Sequence, residues 1–257
     1  MFEMCSLASG SSGNCYYIGN EASSVLIDAG ISAKEIIKRL SLIGKDIRQI
    51  KGVFVTHEHS DHILGIETLS RKYHIPVFLT KGTLENSPVD IEDFIILQPD
   101  KEVQFTAFSI LPFSVSHDAA EPVGYSIAYM SRRASVMTDI GFCCDNVRKN
   151  ISRSNALAIE ANHDVFMLKE GPYPAQLKKR ILGTKGHLSN YEAALVVLEY
   201  ASSSLQHLFL SHLSKENNTQ EIALRTFSSI LSERKDLCNL KTWMTYRDRP
   251  TKVVSVD

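Results

Sequence analysis

The sequence predicts an α/β sandwich folded as one domain over residues 1–257. Three observations predict it. Short runs rich in Val, Ile, Phe and Tyr, punctuated by Gly, Pro, Asn or Asp, fill the first half. Amphipathic helical patterns interrupt and follow them, and no repeat, low-complexity tract or linker divides the chain. The β-like runs are, in order, "CYYIG", "SSVLIDAG", "KGVFVTH", "IPVFLT", "DFIILQ", "VQFTAFSILPFSVSH", "VGYSIAYM" and "RASVMTD". Helices are expected at "SAKEIIKRLSLIG", "DHILGIETLSRKYH", "NYEAALVVLEYASS" and "NTQEIALRTFSSILSERK". In the last, Ile222, Leu224, Phe227, Ile230 and Leu231 form an apolar stripe. Asn218 or Thr219 supplies its N-cap, with Glu221 in the first turn.

Composition narrows the function classes. A hydrophobic share of 44% with 22% charged residues is that of an ordinary globular chain. The net charge of −1 gives no global attraction for nucleic acid, so any polyanion must be held by local basic groups or by bound metal. Five cysteines (Cys5, Cys15, Cys143, Cys144 and Cys238), odd in number and without C-x-x-C spacing, argue against a disulfide framework. They read as reduced thiols of a cytoplasmic protein. No signal-like N-terminus and no run of eighteen apolar residues appears, so no membrane partner is expected.

The β-like runs share an ending. "SSVLID" stops at Asp28, "GVFVTH" at His57, "LPFSVSH" at His117, "ASVMTD" at Asp139 and "HLFLSH" at His212. Each ends in a residue able to ligate a metal or move a proton, and strands lying side by side would bring all five to one edge. "FVTHEHSDH" concentrates the signal, placing three of the nine histidines within six positions. His57 and His59, two apart on an extended segment, point the same way. Asp61 and His62 follow as the chain turns into a helical pattern, and so aim elsewhere. Two ligand sets result: His57 and His59 with His117, and Asp61 and His62 with His212. The two oxygens of Asp139 are then free to bridge. Two cations about 3.5–4 Å apart are the usual arrangement of such a hydrolytic pair. These ligands suit two divalent transition-metal ions, Zn²⁺ or Mn²⁺, with iron also compatible.

The His57-x-His59-x-Asp61-His62 signature, with single ligands at later strand ends, resembles the metallo-β-lactamase superfamily. Asp28 matches its first motif, His117 its third, the Asp139 of "TDIG" its fourth and His212 its fifth. "SLASGSSGNCYYI", "ANHD", "KGHLSN" and "SHLSKENN" resemble the YycJ/WalJ-like branch, whose members are similar to bacterial DNA exonucleases. The resemblance implies a four-layer αββα sandwich. It implies that Asp28 orients a histidine ligand rather than binding metal. Glu160 of "ALAIEANHD" and His187 of "TKGHLSN" would form a dyad beside the metals, with His187 protonating the departing sugar oxygen. Asp61, a ligand, counts with them as a catalytic group. His163 either hydrogen-bonds around the site or makes the turn after a strand.

Ser11, Ser12, Gly13 and Asn14 lie in a Gly/Ser turn whose backbone N–H groups are expected to hold a phosphate oxygen, with Lys185 as a further substrate contact. "KKR" at 178–180 is a solvated face or a phosphate contact. Cys143 and Cys144 are expected to be small packing residues, because both ligand sets are complete without them. The function implied is a dinuclear metal-dependent phosphodiester hydrolase, a 5′→3′ DNA exonuclease that binds its DNA locally; no protein partner can be named. The stretch from Asp139 to His212 is too short for the large inserted domain of RNA-processing relatives. A small-molecule phosphodiesterase remains open, as does a thioesterase or lactonase, which would not require the Glu160/His187 pair. A regulatory metalloprotein acting by partner binding is the alternative of another class.

Overall fold

In the computed structural model, which describes residues 1–256, the apolar runs pair into two seven-stranded sheets. The first has the order β14-β1-β2-β3-β4-β5-β6. Its strands are β1 (Glu3–Ala8), β2 (Cys15–Gly19), β3 (Ser24–Ile27), β4 (Ile50–Phe54), β5 (Val77–Thr80), β6 (Phe94–Leu97) and β14 (Val254–Ser255). The second runs β13-β12-β11-β10-β9-β8-β7. It contains β7 (Val103–Phe105), β8 (Phe108–Ser114), β9 (Val123–Tyr129), β10 (Arg132–Met137), β11 (Ala156–Glu160), β12 (His207–Ser211) and β13 (Lys241–Met244). Each sheet is antiparallel at one side and parallel at the other: β3 to β6 are parallel, as are β10 to β13.

Parallel neighbours require crossovers, and helices supply them. Over the first sheet lie α1 (Ala33–Leu42), α2 (Ser60–Ile63), α3 (Ile66–Tyr73) and α4 (Lys81–Asn86). Over the second lie α5 (Asp145–Ser152), α8 (Asn190–Tyr200) and α9 (Gln220–Leu231), with α6 (Val165–Glu170) and α7 (Ala175–Ile181) in the connection from β11 to α8. Three apolar layers separate the four structural ones. Tyr16, Phe54, Phe108, Tyr125 and Phe209 fill the space between the sheets. Leu26, Ile36, Leu40, Val53 and Leu69 join the first sheet to its helices; Leu157, Ile159, Leu208, Ala194 and Phe227 do so for the second. Strands buried on both faces read as continuous apolar runs rather than alternating ones, which is why the strands were so visible. The αββα sandwich follows.

Two sequence expectations need revision. "VQFTAFSILPFSVSH" is not one strand: Thr106 takes a left-handed φ of 54° and folds the run into the β7–β8 hairpin. "DHILGIETLSRKYH" is not one helix but α2 and α3, which meet at Gly65. A Cβ on Gly65 would lie 2.5 Å from the Ile31 carbonyl oxygen, and its N–H donates to Ala29 (2.7 Å), so the chain must pass close to the loop after β3.

Strands β1, β3, β4, β8, β10, β11 and β12 all end at the same edge, where open parallel sheets place their ligands. Asp28 and His212 directly follow β3 and β12, Asp139 comes two residues after β10, and all three adopt left-handed φ values, of 61°, 59° and 53°. Non-glycine residues pay about 1 kcal/mol or more there. Three such positions gathered at one edge mark it as a functional site.

Candidate metal centre

Local structure explains how one short motif contributes to two candidate ligand groups. Val55 still pairs with β5 through Phe78 (2.8 Å), so the chain is extended up to His57. His59, with ψ of 146°, is the last extended residue and the N-cap of α2; Asp61 and His62 sit in that helix's first turn. The backbone thus changes direction between the pairs. Nε2 of His57 lies 3.0 Å from Nδ1 of His59, and His117 joins them with ligand atoms all within 4.8 Å of one another. Asp61, His62 and His212 form a second group of the same compactness. Asp139 stands between. Its Oδ2 is 3.2 Å from His62 Nε2 and 3.2 Å from His212 Nδ1, while Oδ1 is 3.7 Å from His117 Nε2. One oxygen addresses each set.

The donor set fits divalent cations. Asp139 Oδ2 and His212 Nδ1 are buried and without a hydrogen bond although they face each other. Buried polar atoms left so cost about 1–3 kcal/mol each, and a cation between them would satisfy both. Burial holds His57 and His117 below the usual imidazole range and brings His212 down to about 4, so their lone pairs are bare at neutral pH. Burial opposes the charge on Asp139, but His212, His62 and His117 outweigh it and keep the carboxylate ionised. Burial pulls His62 down, but the charges of Asp28 and Asp139 hold it well above the usual imidazole range, so a cation would have to displace its Nε2 proton. His57, His117 and His212 are the neutral imidazoles beside an ionised carboxylate that suit transition-metal ions.

Asp28 is fully buried and belongs to none of the candidate ligand groups among the described residues. It accepts from the Thr56 N–H (2.8 Å), the Thr56 hydroxyl (2.9 and 3.0 Å) and Nδ1 of His62 (2.7 Å). A proton fixed on Nδ1 leaves Nε2 facing Asp139. Thr56, which no sequence signal marked, also places its hydroxyl 3.0 Å from His57 Nδ1. Glu58 is a further support: its Oε1 accepts the Ala120 N–H (2.8 Å), tying the loop that carries His117 to the one that carries His57 and His59.

A cavity of about 200 Å³ opens beside the ligands, walled by Ser11, Asn162, Tyr173, Arg180, Lys185 and His187 together with His117 and His212. Glu160, fully buried at the end of β11, accepts from His187 Nδ1 (3.1 Å) and from three backbone N–H groups: Leu188 (2.7 Å), Ile140 (2.9 Å) and Asp139 (3.2 Å). It therefore holds the Asp139 loop as well as the imidazole. Burial pulls His187 down, but the hydrogen bond and charge of Glu160, with Asp139 and Asp61 behind, push it up to about 9. With Nδ1 engaged, Nε2–H is the proton presented to the cavity.

The structure corrects part of the expected substrate turn. Ser11 and Ser12 are exposed, but Gly13 and Asn14 are buried. The Gly13 N–H is spent on Gly10 (2.9 Å) and that of Asn14 on Asp61 (2.8 Å), so neither offers a donor to phosphate. Gly13, at φ 147°, packs so tightly that a Cβ would lie 2.5 Å from the Gly30 carbonyl. Asn14 instead places its amide nitrogen 3.1 Å from His62 Nε2 and 3.4 Å from Asp61 Oδ2. His163 is buried, 3.3 Å from Asn162 Oδ1, and burial brings it down to about 4; it does not line the cavity. Its neighbour Asn162 does, and donates to the His212 carbonyl (3.1 Å). Asn218 clamps this region by donating to Ala161 (2.7 Å), Asn162 (3.1 Å) and Asn190 (2.8 Å), which explains why "ANHD", "HLSN" and "ENN" occur together. Asp164 caps α6. Cys143 and Cys144 are half-buried and belong to none of the candidate ligand groups among the described residues. No helix among them is long and apolar enough to cross a membrane.

Comparison with known proteins agrees with this geometry. The profile of the metallo-beta-lactamase superfamily matches residues 8–126, which carry Asp28, the histidine motif and His117. The exodeoxyribonuclease YycJ of Bacillus anthracis is 39% identical over 235 residues, 89% of this chain and 88% of that protein. The exodeoxyribonuclease WalJ of Streptococcus pneumoniae is 36% identical over 239 residues, 90% of this chain and 89% of its own. Among solved structures, the metallo-beta-lactamase fold protein YhfI from Bacillus subtilis superposes with a TM-score of 0.72 at 15% identity, covering 98% of this chain and 99% of YhfI. That last likeness is one of fold.

Proposed function

The chain belongs to the metallo-β-lactamase superfamily, in the branch of the YycJ and WalJ exodeoxyribonucleases, and on that premise we propose a single-domain, cytoplasmic, metal-dependent nuclease that removes nucleotides from DNA in the 5′→3′ direction. The observation that carries this reading is the placement of His187, held by the buried Glu160, in the cavity that His117 and His212 also line, with its Nδ1 3.7 Å from Asp139 Oδ1. A thioester hydrolase would have little use for a held acid there, because a thiolate leaves unaided. Phosphodiester hydrolysis does, because an alkoxide leaving group needs a proton.

His57, His59 and His117 would hold one cation, Asp61, His62 and His212 the other, with Asp139 between them; Zn²⁺ or Mn²⁺ suits these donors, and iron is compatible. When bound, the two ions supply an activated water and neutralise charge on the non-bridging phosphate oxygens. The chain's own groups do the rest. Asp28 and Thr56 fix the His62 ring. Glu160 holds the His187 imidazolium so that Nε2–H meets the departing sugar oxygen. Lys185, Arg180 and the Ser11 hydroxyl line the wall where a phosphate would lie, giving the local positive field that a net charge of −1 withholds. Arg180 waits in an ion pair with Asp118 (2.9 Å), half-exposed and so readily exchanged for phosphate. Incubating the metal-loaded protein with DNA, RNA, a nitrophenyl phosphodiester and a thioester panel tests the assignment. Metal-dependent release of nucleotides from DNA is expected; thioester turnover without DNA cleavage would overturn it.

A further inference from the structure

Beyond Ser214, which lines both, the catalytic cavity gives way to a second and larger groove of about 540 Å³. Lys215, Thr219, Gln220, Tyr246, Arg247 and Arg249 form its walls. No ligand residue belongs to it. Its position and chemistry make it part of the substrate path.

Arg247 stands at the junction. Its guanidinium donates to the hydroxyls of Ser11 (3.2 Å) and Ser12 (3.4 Å) and to the Leu213 carbonyl. Its backbone is pinned from both sides. Arg39, buried beneath, donates to the Arg247 carbonyl (2.9 Å) and to that of Leu7 (3.0 Å), and the neighbouring Tyr246 carbonyl accepts the Ser9 N–H (3.0 Å). Gly10, at φ 132°, makes the room: a Cβ there would lie 2.7 Å from Arg247 Nη1. Among the described residues no carboxylate comes within 4.0 Å of this guanidinium; its hydrogen-bonding partners are neutral oxygens. A half-buried arginine held in place by neutral acceptors keeps its whole charge for a ligand, and its planar fork suits phosphate.

Tyr246 and Arg249, which line the same groove, offer a stacking surface. The Arg249 guanidinium lies over the Tyr246 ring at 3.9 Å. Asp248, 3.8 Å from Arg249 and exposed, offsets part of that residue's charge but none of the stacking area. An aromatic ring and an arginine plane beside a basic groove are the parts from which sequence-tolerant single-strand binding is built.

We propose that this groove is a second nucleotide-binding site. It holds the strand beyond the linkage being cut, with a backbone phosphate against Arg247 and Lys215 and an unpaired base against Tyr246 and Arg249. The proposal deepens the exonuclease reading and rests on it. It makes the substrate a polynucleotide end whose terminal residues have been opened to single strand, and it excludes a free dinucleotide as the best substrate.

Steady-state kinetics of the metal-loaded protein on a dinucleotide, a tetranucleotide and an octanucleotide of single-stranded DNA test it. Arg247 is unsuitable for substitution because it also holds the Ser11–Ser12 turn. Arg249→Ala and Tyr246→Leu remove groups that make no such contact. The wild-type KM is expected to fall as the strand lengthens, and the variants to lose roughly tenfold in KM on the octanucleotide, the size of one lost stack. Their penalty should shrink steadily towards the dinucleotide, which does not reach the groove. Lys215→Ala should lower the slope of log KM against log salt by about 0.7, one single-strand phosphate contact. Lys149→Ala, on the exposed face of α5, serves as the control and should match the wild type at every length. A wild-type KM independent of length, or variant penalties equal at all lengths, overturns the groove assignment while leaving the exonuclease reading intact. Cleavage of a nitrophenyl phosphodiester but of no DNA at any length overturns the exonuclease reading itself.

Discussion

Replacing Asp28 with asparagine keeps the volume of a fully buried side chain and changes one hydrogen-bonding role. The carboxylate accepts from Thr56 at 2.8, 2.9 and 3.0 Å and from His62 Nδ1 at 2.7 Å. An asparagine oxygen can keep the Thr56 N–H and hydroxyl. Its NH₂ must then face Nδ1 of His62, donor against donor, and the imidazole relieves the clash by moving its proton to Nε2. That nitrogen lies 3.2 Å from Asp139 Oδ2 and is the one a cation needs bare. Loss of a hydrogen bond supporting a ligand costs tenfold to hundredfold in metal affinity. Here that is about 1.4–2.8 kcal/mol, and the inverted donor places the expected loss at the upper end. Titration calorimetry of stripped protein with Mn²⁺ should show one site weakened about a hundredfold, the Asp61–His62–His212 group. The His57–His59–His117 site should stay within about threefold of the wild type, since Asp28 touches none of its rings. Circular dichroism confirms that the variant is folded. Two unchanged affinities in a folded variant would refute the tautomer argument, and equal loss at both sites would show that Asp28 supports the edge as a whole.

Further outcomes follow from the same geometry. Asp139→Ala should lower the metal content of both sites by elemental analysis, because one oxygen faces each group; full occupancy would remove its bridging position. His187→Ala should keep both metals and lose roughly 10²–10⁴-fold on DNA, the usual size of a general-acid contribution. It should lose far less on a nitrophenyl phosphodiester, whose leaving group needs no proton. Equal loss on both substrates would make His187 a positioning residue. Glu160→Gln should be more damaging than an orienting role alone implies. The carboxylate accepts three backbone N–H groups besides the imidazole, and an amide NH₂ would confront one of them, so reduced thermal stability should accompany the reduced rate.

What the sequence disclosed, and what it hid, divides along physical lines. Strands buried on both faces announce themselves as apolar runs, and residues that close a strand with His or Asp advertise the edge where they meet. Asp28, His57, His117, Asp139 and His212 were legible for that reason, and six of the nine histidines do gather there. Spacing separated His57 and His59 from Asp61 and His62 because the chain changes from extended to helical at His59. Supporting contacts left no trace. Thr56 and Glu58 act through hydrogen bonds that any threonine or glutamate in a loop might make. Asn14 looked like part of an anion-binding turn, since nothing in "SGSSGN" says which N–H groups the fold consumes. The short helices α4 to α7, of six to eight residues, carry too few turns to show a period. Arg247 lies far along the chain from the Ser11 and Ser12 it touches, a contact only the tertiary fold creates.

The central claim is a metal-dependent attack on DNA that begins at a 5′ end. The most direct measurement is a time course of the metal-loaded protein on linear duplex labelled at either end, beside a closed circle of the same sequence. Early release of the 5′ label as short product, stepwise shortening of the 3′-labelled strand, an intact circle and abolition of all cleavage by chelator are the results predicted. Internal cuts in the circle, or first release of the 3′ label, would contradict it.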